Sequence, residues 1–231
     1  MKNIIDKDKF GPWAIITGAS SGIGKEFARQ LAAGGLNLVL VARRLALLED
    51  VGKHLVKEFG IQYATIEADL AVEASIEKIT KATLNLDIGL LISNAGTGRP
   101  GRFLSFEEKE LKYILQLNAI SHLSLTHYYG KRMAQRGKGG VLLTGAMGAT
   151  DGVPYMANEA GTKGYIQSLG KSLHTKPISA EQCVKEALLA LSANRITILP
   201  GFKYRIMNAL IPRALSREMT GKILKKNNGI V

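Results

Sequence analysis

Thr17-Gly18-Ala19-Ser20-Ser21-Gly22-Ile23-Gly24 is the stretch whose reading decides the fold. A short apolar run, Trp13-Ala14-Ile15-Ile16, leads into it, and a helical pattern runs from Ile23 to Ala33. Strand, glycine-rich turn and helix in that order turn a weak string match into a phosphate site. Gly18, Gly22 and Gly24 let the chain turn tightly and let a diphosphate come close to the backbone. Ser20, Ser21 and Ile23 complete the turn. The helix start adds unpaired N–H groups and the positive end of a dipole.

Working outward, apolar runs alternate with helical patterns. Strands are expected at 13–17, 36–42, 63–68, 88–93, 141–145 and 195–199. Helices are expected at 22–34, 44–59, 73–84, 107–136, 159–174, 179–193 and within 202–226. The strands are continuous hydrophobic runs, such as Leu38-Val39-Leu40-Val41 and Gly89-Leu90-Leu91-Ile92, as a parallel sheet covered on both faces requires. The alternation predicts an α/β fold, a doubly wound and mostly parallel sheet (a Rossmann fold) with helices on both faces. At 231 residues the chain reads as a single domain over 1–231, with no internal repeat or linker. The loop Thr97–Ser105, which holds Gly98, Pro100 and Gly101, reads as flexible surface.

Charge is unevenly placed. Residues 201–231 hold seven Lys or Arg against the single acid Glu218, a surplus of six and half of the net +12. Phe202, Ile206, Leu210, Leu215 and Leu224 interleave with them, making a basic amphipathic C-terminal segment, 202–231. Two readings stand for it: a helix docked on the core with a solvated basic face, or peripheral contact with an anionic membrane surface. Nucleic-acid binding is not expected, since no recognition motif accompanies the charge. The lone Cys183 cannot form an internal disulfide, and no apolar run approaches the roughly 20 residues that span a bilayer, so a cytoplasmic location is expected.

Polar residues fall at the carboxyl ends of the expected strands, where such sheets bind ligands. Arg43 and Arg44 follow the second strand. A site for NAD usually has an acid there for the ribose hydroxyls, whereas a 2′-phosphate needs a cation, and arginine matches phosphate with a planar fork of donors. The pair therefore points to NADP, with NAD the lesser fit. Asp69-Leu70 follows the third strand, and Ser93-Asn94-Ala95-Gly96 the fourth.

Thr17–Gly24, Asp69, Asn94-Ala95-Gly96 and Asn118 together resemble the short-chain dehydrogenase/reductase family over nearly the whole chain, roughly 13 to 200. The resemblance implies a nicotinamide cofactor, with the glycine-rich turn at the diphosphate, Asp69 and Leu70 beside the adenine, and Asn94, Ala95 and Gly96 lining the cofactor cleft. It implies hydride transfer between nicotinamide and a small-molecule carbonyl or alcohol, and a homo-oligomer. The family's catalytic set is Asn, Ser, Tyr and Lys. Asn118 and Lys163 match two of these, and Lys163 would also bind the cofactor.

The other two positions depart from the pattern. Glu159 stands four residues before Lys163, where tyrosine belongs, and Ala146 stands at the serine. A carbonyl reductase needs a proton donor whose pKa lies near the working pH. Glutamate starts low and a lysine cation lowers it further, so Glu159 is expected to be ionised at neutral pH and to accept protons, not donate them. Four readings stand: an i, i+4 ion pair between Glu159 and Lys163, Glu159 as a base if burial raises its pKa, Tyr155 as a replacement donor, or cofactor binding without turnover.

A last irregularity lies at Thr175-Lys176, where one expected helix runs almost directly into the next. The family's sixth strand and substrate loop belong between them, and a parallel crossover needs more residues than are present.

Overall fold

A computed structural model of the chain describes residues 5–146 and 152–172, apart from the side chains of 171 and 172. Five parallel strands form one sheet: β1 (Trp13–Thr17), β2 (Asn37–Ala42), β3 (Tyr63–Glu67), β4 (Ile88–Ser93) and β5 (Gly140–Leu143). Their order in space is β3-β2-β1-β4-β5. The chain winds outward to β3, then returns across β1 to β4. That reversal opens a crevice at the carboxyl ends of β1 and β4, the place where doubly wound sheets bind ligands.

Alternation within each strand divides the core in two. Ala14, Ile16, Leu38, Leu40, Leu90 and Ile92 face one side, where they meet Phe27, Leu31, Leu48 and Leu55. Ile15, Val39, Val41 and Leu91 face the other, where they meet Ile79, Leu125, Tyr129 and Ile166. Both faces are thus apolar, and this is why the strands read as unbroken hydrophobic runs.

The helices are α1 (Lys7–Phe10), α2 (Gly22–Ala33), α3 (Leu45–Phe59), α4 (Ala74–Ala82), α5 (Glu108–Leu115), α6 (Ser121–Gln135) and α7 (Ala157–Ser172). Helix α2 buries Gly24, Phe27, Ala28, Leu31 and Ala32, a spacing that keeps one stripe on the sheet. Helix α3 stops at Gly60, whose φ of 69° closes a left-handed cap.

The helix expected at 107–136 is not uniform. Gln116–Ile120 forms a π-turn between α5 and α6. The Ser121 N–H reaches back five residues to the Gln116 carbonyl. The Leu117 carbonyl, its ordinary α-helical partner, instead accepts the Ser121 hydroxyl at 2.7 Å. A serine side chain thus competes with its own backbone, and the extra residue in the turn swings Asn118 inward.

Expected and observed bounds agree to within about two residues for the five strands, for α2 to α6 and for the start of α7, the usual uncertainty of helix ends, whereas α1 and the short turn Phe103–Ser105 were not expected. The strand at 195–199, the helices at 179–193 and 202–226, the Thr175-Lys176 junction, Cys183 and the basic segment 202–231 lie outside the described residues. Among the described residues no helix is long and apolar enough to cross a membrane.

Gly24 sets how closely α2 approaches the sheet. A Cβ there would overlap the Gly18 carbonyl oxygen and stand 2.9 Å from Asn94 Nδ2. Gly24→Ala is therefore expected to push α2 off β1 and to cost about 1–3 kcal/mol, the usual range for overpacking. A urea unfolding midpoint unchanged from wild type would show that α2 has room the structure does not reveal.

Candidate functional site

The crevice is assembled around Thr17, the last residue of β1 and fully buried. Its hydroxyl accepts the N–H groups of Asn94 and Ala95 at 2.9 and 3.0 Å, and its carbonyl accepts Asn94 Nδ2 at 3.2 Å. Thr144, just past β5, donates its hydroxyl to the Ser93 carbonyl and is also 3.1 Å from Asn94 Oδ1. The ends of β1, β4 and β5 are thereby joined by side chains beyond the reach of their ladders.

The glycine-rich turn leaves its first strand through Gly18, whose N–H donates to the Val41 carbonyl at 2.8 Å. Gly18 and Gly22 have φ of 70° and 54°, values that L side chains rarely adopt. Ser21 stands at the N-cap of α2, but its side chain makes no capping bond. The helix start therefore keeps backbone donors for an anion. A Cβ at Gly22 would meet nothing within 4 Å, so space lies open beside those donors. This geometry fits a dinucleotide diphosphate.

Arg43 and Arg44, both exposed at the end of β2, reach in different directions. Arg44 Nη2 lies 3.4 and 3.3 Å from the hydroxyls of Ser20 and Ser21, bringing a cation onto the turn. Arg43 Nη1 donates to the Tyr113 hydroxyl at 2.9 Å. Asp69 and the buried Leu70 follow β3, and Asp69 Oδ1 accepts the Ala71 N–H at 3.0 Å.

On the other side of the crevice, Asn118 is wholly buried. Its amide grips the backbone of Thr97 twice, accepting the N–H at 2.9 Å and donating to the carbonyl at 2.7 Å. Its Nδ2 also lies 3.3 Å from the Thr162 hydroxyl on α7. Lys163, 7% exposed, donates to the Thr144 carbonyl at 2.9 Å. A Cβ on Gly96 would stand 3.2 Å from both Asn118 Oδ1 and Lys163 Nζ, so these three expected site residues do converge.

Two expectations are corrected here. The Glu159–Lys163 ion pair is not made. Lys163 turns to Thr144, and among the described residues Glu159 Oε2, shielded from solvent, has no hydrogen-bond partner. Nor does the neighbouring cation decide the Glu159 titration. Burial pushes its carboxyl above the ordinary glutamate range, and Lys163 opposes this with a smaller effect. Burial likewise lowers the Lys163 ammonium, against a smaller opposing pull from Glu159. Of the two opposing effects, the lysine charge and burial, burial is the larger at Glu159.

The loop over 97–105 is also better held than flexible surface. Its Gly101 N–H donates to the Tyr155 carbonyl at 2.8 Å, Arg99 pairs with Glu110, and Phe103–Ser105 form a 3₁₀ turn. Gly98 lies against the Glu159 carboxylate, leaving no room for a Cβ between them. The loop lines a cavity of about 600 Å³ with Phe103, Leu104, Phe106, Leu111, Ile114 and Met156, and Glu159 stands at its wall. Tyr155 also lines this cavity, with φ of 64°, unusual for a residue other than glycine. Ala146 is exposed and offers no hydroxyl.

The sequence alone does not show the roles of Thr17, Thr144, Thr162, Tyr113 and His122 in holding the site. Only His122 carried a signal, standing one helical turn beyond Asn118. It is fully buried, with Nε2 2.7 Å from the Ala95 carbonyl and Nδ1 2.9 Å from the Ser93 hydroxyl. A carbonyl only accepts, so a neutral ring carries its proton on Nε2 and takes the serine proton on Nδ1. Asn118 and His122 thus suspend Ala95 and Thr97 on either side of Gly96.

Burial first, then the Lys163 cation, lowers the His122 pKa from 6.5 to about 4. The unfolded chain therefore takes up this proton first, and stability is lost as pH falls from 6.5 towards about 4. That loss should reach about 3 kcal/mol. In His122→Gln the amide can keep both hydrogen bonds without titrating. Urea unfolding across that window should show a smaller pH dependence in the variant than in wild type, and equal slopes would rule out a buried neutral ring.

Comparison with known proteins agrees with this architecture. The sequence profile of the family described as short chain dehydrogenase matches residues 12–184. A very-long-chain 3-oxoacyl-CoA reductase of Podospora anserina is 37% identical over 176 residues, covering 74% of this chain and 52% of that protein. The chain thus spans about half the length of that relative. A structure of a 7beta-hydroxysteroid dehydrogenase superposes with a TM-score of 0.87 at 20% identity, over 94% of this chain and 98% of that one. A short-chain dehydrogenase from Sphingobium yanoikuyae in complex with NADPH superposes with a TM-score of 0.77 at 22% identity, over 90% and 95%. The chain belongs to the short-chain dehydrogenase family.

Proposed function

We propose that this chain is an NADP-dependent oxidoreductase with altered proton chemistry, acting on the 3-oxo group of a fatty-acyl thioester. The observation that carries the reading is Glu159, a partly buried carboxyl with a raised pKa and an unpartnered oxygen, set in the wall of an apolar cavity. The cavity's Phe, Leu, Ile and Met lining suits an acyl chain. The printed name of the Podospora relative favours the same substrate class. Arg44 over the glycine-rich turn and Arg43 on the Tyr113 hydroxyl favour a cofactor bearing a 2′-phosphate.

Held in that turn, NADPH would supply a hydride to the carbonyl carbon. Everything else falls to the chain's own residues. As negative charge grows on the carbonyl oxygen, protonated Glu159 donates its hydrogen there, leaving a hydroxyl product and a carboxylate. Lys163 stabilises that carboxylate through space, and solvent reprotonates it from its exposed side. Ala146 gives the oxygen no second donor, so slow turnover is expected. Asn118 and His122 hold the backbone on either side of Gly96.

The working form of Glu159 is the acid. Activity is therefore present below its raised pKa and fades as pH climbs through that value, the reverse of a site that must lose a proton. NADPH oxidation with 3-oxoacyl thioesters of increasing chain length, followed from about pH 5 to about pH 8, should show a rate that falls with rising pH. Glu159→Gln should lower kcat by about 10²- to 10⁴-fold, the usual contribution of a positioned acid. A rate that is flat with pH and survives this substitution contradicts the assignment. Ala146 favours one other reading, a protein that binds NADP without hydride transfer. Tight NADPH binding with no turnover at any pH would establish it.

A further inference from the structure

Arg44 is tied to the glycine-rich turn, whereas Arg43 is tied to helix α5. Its Nη1 donates to the Tyr113 hydroxyl at 2.9 Å, across 70 positions. That hydroxyl lies 3.4 Å from both carboxylate oxygens of Asp69. Asp69 is itself fixed, because its Oδ1 accepts the Ala71 N–H at 3.0 Å. Tyr113 is half-buried on α5 and packs against the second core cluster. A chain of hydrogen bonds therefore runs from rigid backbone through Asp69 and Tyr113 to an exposed guanidinium.

The protonation states agree with this order. Burial, aided by Asp69, holds the Tyr113 hydroxyl above the ordinary tyrosine range despite Arg43. The hydroxyl keeps its hydrogen, gives it to Asp69 and accepts from Arg43. A free arginine side chain has much rotamer freedom to lose on binding a phosphate, and one already held in place has less. The bond to Tyr113 uses one edge of the guanidinium and leaves the rest of the fork available.

We infer that Tyr113 is a specificity-determining positioning residue, which preorganises Arg43 for the 2′-phosphate of NADP and so sets the choice between NADPH and NADH. The inference rests on the NADP reading above. It adds a residue on α5 to a selection that sequence spacing assigned to the end of β2 alone. Arg44, held by Ser20 and Ser21, serves the turn and does not depend on Tyr113.

The test is equilibrium titration of the whole chain with NADPH and with NADH, read by nicotinamide fluorescence, which needs no turnover. Wild type should bind NADPH at least about tenfold more tightly than NADH. Tyr113→Phe removes only the hydroxyl. It should weaken NADPH about three- to tenfold and leave NADH within about twofold. Adding Tyr113→Phe to Arg43→Ala should change neither affinity further, because the two act as one unit. An NADPH preference that persists undiminished in Tyr113→Phe, or an equal loss for both cofactors, overturns the role of Tyr113 while leaving the NADP reading intact. Equal affinities in wild type overturn the NADP reading itself, and this inference with it.

Discussion

The close meeting of three chain segments at the carboxyl end of β1 governs the rest of the site. Gly24 of α2 rests on the Gly18 carbonyl, and Thr17 holds the start of the loop after β4 by two N–H groups. Neither contact tolerates much change, because interiors are packed as densely as crystals. From this junction the strand order reverses, and the reversal opens the crevice. The loop that leaves Thr17's grip carries Gly96 over Asn118 and Lys163, then Gly98 past Glu159. A shift at the first contact is therefore passed along to every later one.

The site on this scaffold is governed by the balance between desolvation and charge. Lys163 is nearly buried and lowered by burial, Glu159 is partly buried and raised by it, and each pulls the other back only in part. Had the two formed a direct pair, Coulomb attraction would have kept both charged. Lys163 instead satisfies itself on the Thr144 carbonyl, and Glu159 keeps an oxygen without a partner. An unpartnered, shielded carboxylate oxygen is costly unless it carries a proton or meets a donor. The protein holds such a group at the edge of an apolar cavity, and this placement is what supports the proposal that Glu159 is the proton donor.

Much of this was legible in the chain. The apolar runs located five strands because a sheet covered on both faces leaves no polar positions to confuse the pattern. Thr17–Gly24 located the turn because its glycines answer to backbone geometry, which spacing records. Asn118, Lys163 and Gly96, named from the family resemblance, lie together. The π-turn was not legible, since it depends on Ser121 choosing its own Leu117 carbonyl over solvent. The bonding roles of Thr17, Thr144 and Tyr113 were not legible, because a hydroxyl at a strand end or on a helix looks ordinary until its distant partner is known. Which effect governs the Glu159 titration was not legible for a related reason. A lysine four residues away is visible in the sequence, whereas burial by a loop 60 residues earlier is not.

Direct titration of the Glu159 carboxyl bears most immediately on this account. Carbon-detected NMR of glutamate-labelled protein, with Glu159→Gln to assign the signal, would follow that group alone as pH is varied. The account predicts a midpoint above the range of the exposed glutamates in the same spectrum. A midpoint at or below theirs would mean that Lys163 prevails over burial, that Glu159 is a carboxylate at working pH, and that it cannot be the proton donor.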